Sequence, residues 1–309
     1  MIPITKTSNN FALPANWSTY LKLIVVALLW GGTFVAGRLL AGSLSPLMAA
    51  IGRFSLAAVI LILLTIKTEG KLTKLSLKQA VITFALGLTG IFTYNLCFFS
   101  ALSEMPASRT ALFVAFNPIA TALLLAILYK EKLSLQKLLG ISIAVLGALT
   151  VISNGHLLSV YQDISQTFGR GELAMLCAVL SWAAYTVVGR KALFGLSPLV
   201  STTYAAIWGL VLLLAVWLFN PNAHMINTLS WQSSAAIGYL AIFGTVIPFV
   251  WYYQGIKKIG AAQTAVFTNF VPIFGVLLGA LLLNEQISHS MLLGGALVIT
   301  GVILTNRGK

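Results

Sequence analysis

The stretch that decides the fold runs from Met105 to Lys132, MPASRTALFVAFNPIATALLLAILYKEK. Its apolar run is long enough to cross the hydrocarbon core of a bilayer. Arg109 stands near its start, and an Asn117-Pro118 step interrupts it midway, where proline removes a helix hydrogen bond. The pattern returns from Ile259 to Gln286, IGAAQTAVFTNFVPIFGVLLGALLLNEQ. Thr110, Ala111, Phe113, Phe116, Pro118 and Glu131 match Thr264, Ala265, Phe267, Phe270, Pro272 and Glu285 without a gap, an offset of 154 (285 − 131). A duplicated, proline-broken membrane helix points to a transport site.

Working outward, Trp30, Val35, Gly37, Arg38, Ser45, Pro46 and Leu47 recur as Trp182, Val187, Gly189, Arg190, Ser197, Pro198 and Leu199, 152 positions later (182 − 30). Gly90/Gly244, Gly140/Gly294 and Gly147/Gly301 follow the offset of 154, so the second copy gains two residues in its seventh-to-eighth loop. Ten apolar spans are expected, at 20–41, 44–66, 78–101, 105–129, 134–153, 171–190, 198–219, 233–255, 260–283 and 289–306. Five spans per half is an odd number, so the copies insert in opposite senses. The fold class is therefore an all-α polytopic membrane protein, ten transmembrane helices in two inverted five-helix repeats. Its expected parts are a cytoplasmic tail (1–19), a first repeat (20–153), an outer loop (154–170), a second repeat (171–306) and a short cytoplasmic tail (307–309). The two Ser-Pro steps read as helix starts, and Ser134 and Ser288 as N-caps of spans five and ten.

Composition agrees. Of 309 residues, 59% are hydrophobic and 8% charged, with a mean hydropathy of +0.95, more apolar surface than a water-soluble chain can hide. The net charge of +13 does not imply a nucleic-acid partner, because the charges sit in short breaks between spans and form no patch. With the N-terminus in the cytoplasm, every lysine falls on the inner side: Lys6, Lys22, Lys67, Lys71, Lys74, Lys78, Lys130, Lys132, Lys137, Lys191, Lys257, Lys258 and Lys309. That asymmetry gives a multi-pass protein of the cell (inner) membrane with both termini cytoplasmic. The polar start, Met1 to Trp17, lacks the pattern of a cleaved signal peptide, so the first run reads as a retained span. Cys97 and Cys177 fall within apolar runs as packing residues, and His156, His224 and His289 lie isolated in the breaks. No metal and no cofactor are expected.

Several of these motifs resemble the EamA family of the drug/metabolite transporter superfamily: Trp30 and Gly37-Arg38 with the Ser-Pro steps, Gly52-Arg53-Phe54, and Asn117-Pro118-Ile119 with Val271-Pro272-Ile273, followed by Glu131 and Glu285. The resemblance spans residues 20–306. It implies a ten-helix bundle that works by alternating access around a central cavity between the repeats. Helices three, four, eight and nine line that cavity with parts of one, two, six and seven, and helices five and ten are peripheral.

Intramembrane arginines usually face a bundle interior or a watery cavity. For Arg53 and Arg109 one reading is a carboxylate contact with substrate through the guanidinium fork. The other is an interhelical clamp, with Glu104 as the partner of Arg109. The recurrence of Gly-Arg-Phe across the resembling family, whatever the substrate, favours the clamp for Arg53. For Arg109 both stay open, its repeat partner being the uncharged Gln263. Asn117 and Asn269 either bond a solute or satisfy carbonyls freed by Pro118 and Pro272, and Asn269 is the better placed for a ligand. Tyr94 and Asn95 make a polar step expected to face the cavity, opposite Pro248 in the other repeat. Trp30 and Trp182, mid-span and symmetric, are a cavity pair or a packing pair. Tyr185, Trp251 and Gln263 complete the candidate substrate contacts, and Pro118, Pro248 and Pro272 the candidate gating breaks. Gly275-x-x-x-Gly279 and the seven-spaced glycines of spans five and ten read as close-packing strips, with a homodimer through those two spans as the alternative to a monomer.

No carboxylate lies at mid-membrane depth to act as a proton or sodium relay, which favours facilitated movement or exchange. Arginines, amides and aromatics together suit a small-molecule substrate of amino-acid or related zwitterionic or carboxylate type, exported or exchanged. A multidrug exporter is the alternative within the class. An enzyme is excluded by the lack of any positioned nucleophile, metal-ligand set or acid–base pair in the spans. A channel or a non-transporting receptor fits paired broken helices less well than alternating access does.

Overall fold

The computed structural model describes residues 16–129, 134–153, 155–156, 169–193, 195–219, 230–260, 264 and 266–307. Among them are ten principal helices, with boundaries close to those expected: α1 (Trp17–Ala41), α2 (Pro46–Glu69), α3 (Leu77–Glu104), α4 (Ala107–Leu128), α5 (Leu135–Ile152), α6 (Arg170–Ala192), α7 (Pro198–Leu218), α8 (Trp231–Ile259), α9 (Phe267–Leu283) and α10 (His289–Arg307). Seven of these are long and apolar enough to cross a membrane, and α5, α9 and α10 are shorter apolar helices. The fold is all-α and polytopic.

Serines start the helices. Ser45 and Ser197 accept the N–H of Met48 and Val200 at 3.3 and 3.1 Å, each with proline in the first turn. Ser134 and Ser288 cap α5 and α10 through Lys137 N (3.4 Å) and Met291 N (3.2 Å). Each cap satisfies one of the backbone donors a helix leaves open at its start, which matters where little water reaches.

The inversion of the repeats can be read from contacts between equivalent helices. Ser197, just before α7, donates its hydroxyl to Glu69 at the end of α2. Glu285, just after α9, accepts from the first N–H groups of α4. Along α5 and α10, Gly140 lies against Gly301 and Gly147 against Gly294, so rising numbers on one helix meet falling numbers on the other. Helices α2, α4 and α5 thus run antiparallel to their copies α7, α9 and α10. The remaining packing respects the same exchange: α1 lies on α8 and α9 as α6 lies on α3 and α4, and α2 lies on α7.

The α5–α10 seam needs its glycines. A Cβ at Gly140 would come within 2.5 Å of Thr305 N and 2.6 Å of Gly301 O, and one at Gly147 within 2.6 Å of Gly294 O. These faces are covered within the chain, so a homodimer through α5 and α10 would have to use their other faces. The Gly275/Gly279 strip also serves internal packing, against Ala111 and Ser108 of α4.

Two pairs of irregular turns position the centre. Helices α3 and α8 each widen into a π segment, Gly87–Thr93 and Ile242–Val246, and subtracting 154 places the second at 88–92, inside the first. Helices α4 and α9 each tighten into 3₁₀ turns, Phe113–Phe116 and Phe267–Asn269, again 154 apart (267 − 113) and just ahead of the prolines. The 3₁₀ turn absorbs Pro118: with no N–H on the proline, the Asn117 N–H bonds the Val114 carbonyl instead.

Candidate functional site

Between these irregular turns lies a cavity of about 20 Å³, lined by Trp30, Thr33, Phe34, Arg53, Tyr94, Val114, Asn117, Trp182, Phe249, Thr268 and Val271. That is space for about one water, so a larger solute requires the walls to move apart.

Arg53 is the polar centre. It is 2% exposed and reaches out of α2 to three acceptors. Its Nε donates to Thr245 Oγ1 at 2.8 Å, Nη1 to Asn95 Oδ1 at 2.9 Å and Nη2 to the Gly244 carbonyl at 2.8 Å. Gly244 and Thr245 belong to the π segment of α8, and the residue four places beyond Gly244 is Pro248, which has no N–H to offer that carbonyl. Asn95 is held in turn by donating to Ile91 O at 2.8 Å. The clamp reading of Arg53 is therefore what the geometry gives, and the same side chain also borders the cavity. Of its five N–H donors, three are engaged in these bonds, and no carboxylate among the described residues lies within ion-pair distance.

Facing it is an aromatic cluster. The repeat-equivalent Trp30 and Trp182 meet edge to face at 5.3 Å, and Trp182 also contacts Tyr94 (5.1 Å) and Phe249 (5.5 Å). Trp30 is fixed by donating Nε1 to the Gly244 carbonyl at 3.2 Å, the oxygen that Arg53 also uses. Both tryptophans line the cavity and pack on each other, so the two readings of the pair coincide.

Of the expected site residues, Trp30, Arg53, Tyr94, Asn117 and Trp182 line the cavity. Asn95 stands one layer behind, turned to Arg53. Tyr185 is 1% exposed, set against Gly90 of the α3 π segment and stacked on Tyr253 at 5.5 Å, outside the lining. Trp251 is elsewhere, with Lys22 Nζ 5.4 Å from its ring centroid, because its angle on α8 turns it toward the start of α1. Arg109 sits at the start of α4, where Nη2 pairs with Glu172 Oε1 of α6 at 2.7 Å; the partner is Glu172 in place of the expected Glu104. Asn269 is buried beside the lining residue Thr268 but does not line the cavity itself. Gln263, and with it Glu131, lies outside the described residues. Pro118 and Pro272 are buried just past the 3₁₀ turns, and Pro248 opens the helical part of α8 after its π segment.

Asn117 Oδ1 is buried with no hydrogen-bond partner, as is Asn269 Oδ1. Since the backbone N–H of Asn117 already serves the Val114 carbonyl, that carbonyl does not need the amide side chain. The sequence reading missed Thr33, Phe34, Val114, Phe249, Thr268 and Val271. Comparing the repeats position by position would have found their logic. Thr33, Arg53, Asn95, Asn117, Thr245 and Thr268 stand where the other copy has Tyr185, Ala205, Phe249, Val271, Ile91 and Val114. A pseudo-symmetric scaffold thus carries an asymmetric set of polar groups.

Comparison with known proteins agrees with this architecture. The sequence profile of the EamA-like transporter family matches residues 17–153 and again 169–307, one match per repeat. The chain is 32% identical over 284 residues to the uncharacterized transporter YyaM of Bacillus subtilis, covering 92% of each. It is 26% identical over 289 residues to the uncharacterized inner membrane transporter YedA of Escherichia coli K12, covering 93% of this chain and 90% of that one. A solved crystal structure at 19% identity shares the fold, with a TM-score of 0.68 over 94% of this chain and 98% of that one. With both halves matched and relatives aligned nearly end to end, the chain belongs to the EamA-like transporter family.

Proposed function

We propose that this protein is a secondary transporter that exports or exchanges an amino acid or a closely related zwitterion by alternating access. The observation that carries the reading is Arg53: a buried guanidinium beside the cavity, braced by three neutral acceptors, with no carboxylate partner among the described residues. Its remaining N–H donors suit a substrate carboxylate. The unpartnered Asn117 Oδ1 suits an ammonium N–H, and the Trp30–Trp182–Phe249 cluster suits an apolar side chain. Among the described residues the lining holds no acid to relay a proton, which favours exchange or facilitated movement over obligate proton symport. The lysine-rich ends of the helices favour the cytoplasmic side, and the name of the relative YedA, an inner membrane transporter, supports placement in a cell (inner) membrane.

The test uses the purified chain in proteoliposomes loaded with unlabelled amino acids, followed by counterflow of labelled ones. Melting shifts against each amino acid, its decarboxylated amine and its deaminated acid are measured in parallel, since a ligand that prefers the folded state raises the melting point. Amino acids are expected to raise the melting point, with the amines ineffective. Stabilisation by quaternary amines with none by any carboxylate would overturn the proposal in favour of a multidrug exporter. Non-saturating conductance would overturn it in favour of a channel.

A further inference from the structure

The sequence contains two cysteines, and the fold brings them together from opposite repeats. Helices α3 and α6 cross antiparallel in a register set by independent contacts. Ser181 Oγ donates to the Thr89 carbonyl at 2.7 Å, Tyr185 covers Gly90, the rings of Tyr94 and Trp182 lie 5.1 Å apart, and Gly171 meets Met105. From Thr89 against Ser181 to Met105 against Gly171, the position rises along α3 while it falls along α6. Cys97 lies between Tyr94 and Met105, and Cys177 between Gly171 and Ser181, so the register sets them opposite each other. The two thiols lie near enough to interact, both are free, and Cys177 is exposed on the bundle surface while Cys97 is half-buried.

We infer that Cys97 and Cys177 are an oxidisable pair, closed by an organic hydroperoxide of the membrane into a disulfide that staples the two repeats together. Both residues lie within apolar spans, so the surface around Cys177 is the acyl-chain region, where hydroperoxides of unsaturated lipids reside. The Cys177 sulfur attacks the outer oxygen of the hydroperoxide, the O–O bond breaks, and the alkoxide leaves and takes up the thiol proton as an alcohol, giving a sulfenic acid. The Cys97 sulfur then displaces the hydroxyl, which leaves with the second thiol proton as water. Two thiols are oxidised and one hydroperoxide is reduced to an alcohol. The bond lies one helical turn from Tyr94, whose ring touches Trp182, so it fixes α3 against α6 beside the cavity.

The inference does not depend on the transport reading, and its test needs no transported solute. The full chain in lipid nanodiscs is treated with cumene hydroperoxide, alkylated with N-ethylmaleimide, digested and mapped by mass spectrometry. Expected are loss of both alkylatable thiols and a Cys97–Cys177 linked peptide two hydrogen atoms lighter than the sum of its parts, reversed by dithiothreitol and absent from Cys97→Ser and Cys177→Ser. Hydrogen–deuterium exchange in α3 and α6 is expected to slow several-fold on oxidation of the parent and to stay unchanged in either serine variant. Two free thiols after treatment, or a link only between Cys177 residues of two chains, would overturn the pairing. A linked peptide with unchanged exchange would overturn the staple.

Discussion

Arg53 in the first repeat donates to the carbonyl oxygen of Gly244 in the second at 2.8 Å, and Trp30 donates to the same oxygen at 3.2 Å. One backbone carbonyl, within a π segment, thus ties α2 and α1 to α8 at the edge of the cavity. The tie is both structural and positional, because the guanidinium that braces the repeats is also the charge a solute would meet.

Replacing Arg53 with Ala strands two buried side-chain acceptors, Thr245 Oγ1 and Asn95 Oδ1, each costing about 1–3 kcal/mol when left unsatisfied, while the Gly244 carbonyl keeps its bond from Trp30. The variant is expected to melt well below the parent. Arg53→Lys keeps the charge but not the fork, and should melt in between while losing the melting shift given by carboxylate solutes. An Arg53→Ala protein that melts with the parent would remove the bracing role.

Arg109 and Glu172 join α4 to α6 away from the cavity lining, with side-chain exposures of 21% and 7%. Partly screened pairs of this kind contribute up to about 1 kcal/mol. Arg109→Gln, Glu172→Gln and the double variant form a cycle whose coupling in chemical denaturation should be of that size. Solute affinity should be unchanged throughout. A tenfold loss of affinity in Arg109→Gln alone would move the site toward the helix ends.

Glu285 accepts from Ala107 N and Ser108 N, both at 2.8 Å, at the start of α4. Asn284, at φ 53°, ends α9 in the left-handed conformation and turns the chain so that the carboxylate reaches across. A carboxylate on a helix N-terminus is worth about 1 kcal/mol, and somewhat more when partly buried. Glu285→Ala should therefore lower stability by about 1–2 kcal/mol, with faster amide exchange at 107–112, while Glu285→Gln should lose about half as much. Unchanged exchange at the start of α4 would show that the cap is not needed.

Gly147→Ala sets a methyl group 2.6 Å from Gly294 O and 2.7 Å from Val298 N, both backbone atoms that cannot swing aside. Forcing α5 and α10 apart should destabilise by about 1–3 kcal/mol, read as a lower melting point. Gly42→Ala, where nothing lies within 4 Å, is the matched control and should melt with the parent.

The chain displayed its architecture openly because duplication writes itself as a fixed offset, and an odd number of spans forces inversion. Helix starts were equally legible, since Ser-Pro and the capping serines act within a few residues of themselves. The centre was harder. The π segment Ile242–Val246 offers its Gly244 carbonyl to Arg53, 191 residues away, and nothing in the run itself announces that partner. Glu104 looked the natural partner of Arg109 because it is near in sequence, whereas Glu172 is brought there by the packing of α4 on α6. Trp251 lies off the cavity for a rotational reason: aromatic character says nothing about which side of α8 the ring leaves from.

The bare-backbone contact of α5 with α10 leaves each repeat one helix bonded, almost atom to atom, to the other. Any rocking of the halves must spare that line or break it, and breaking it opens the close glycine contacts and uncovers Ala144, Val298 and Val302 buried beside them. In the alternating-access cycle proposed above, the pair would serve as an axle about which the eight other helices swing, so a substitution far from any solute would stop the machine by jamming its bearing.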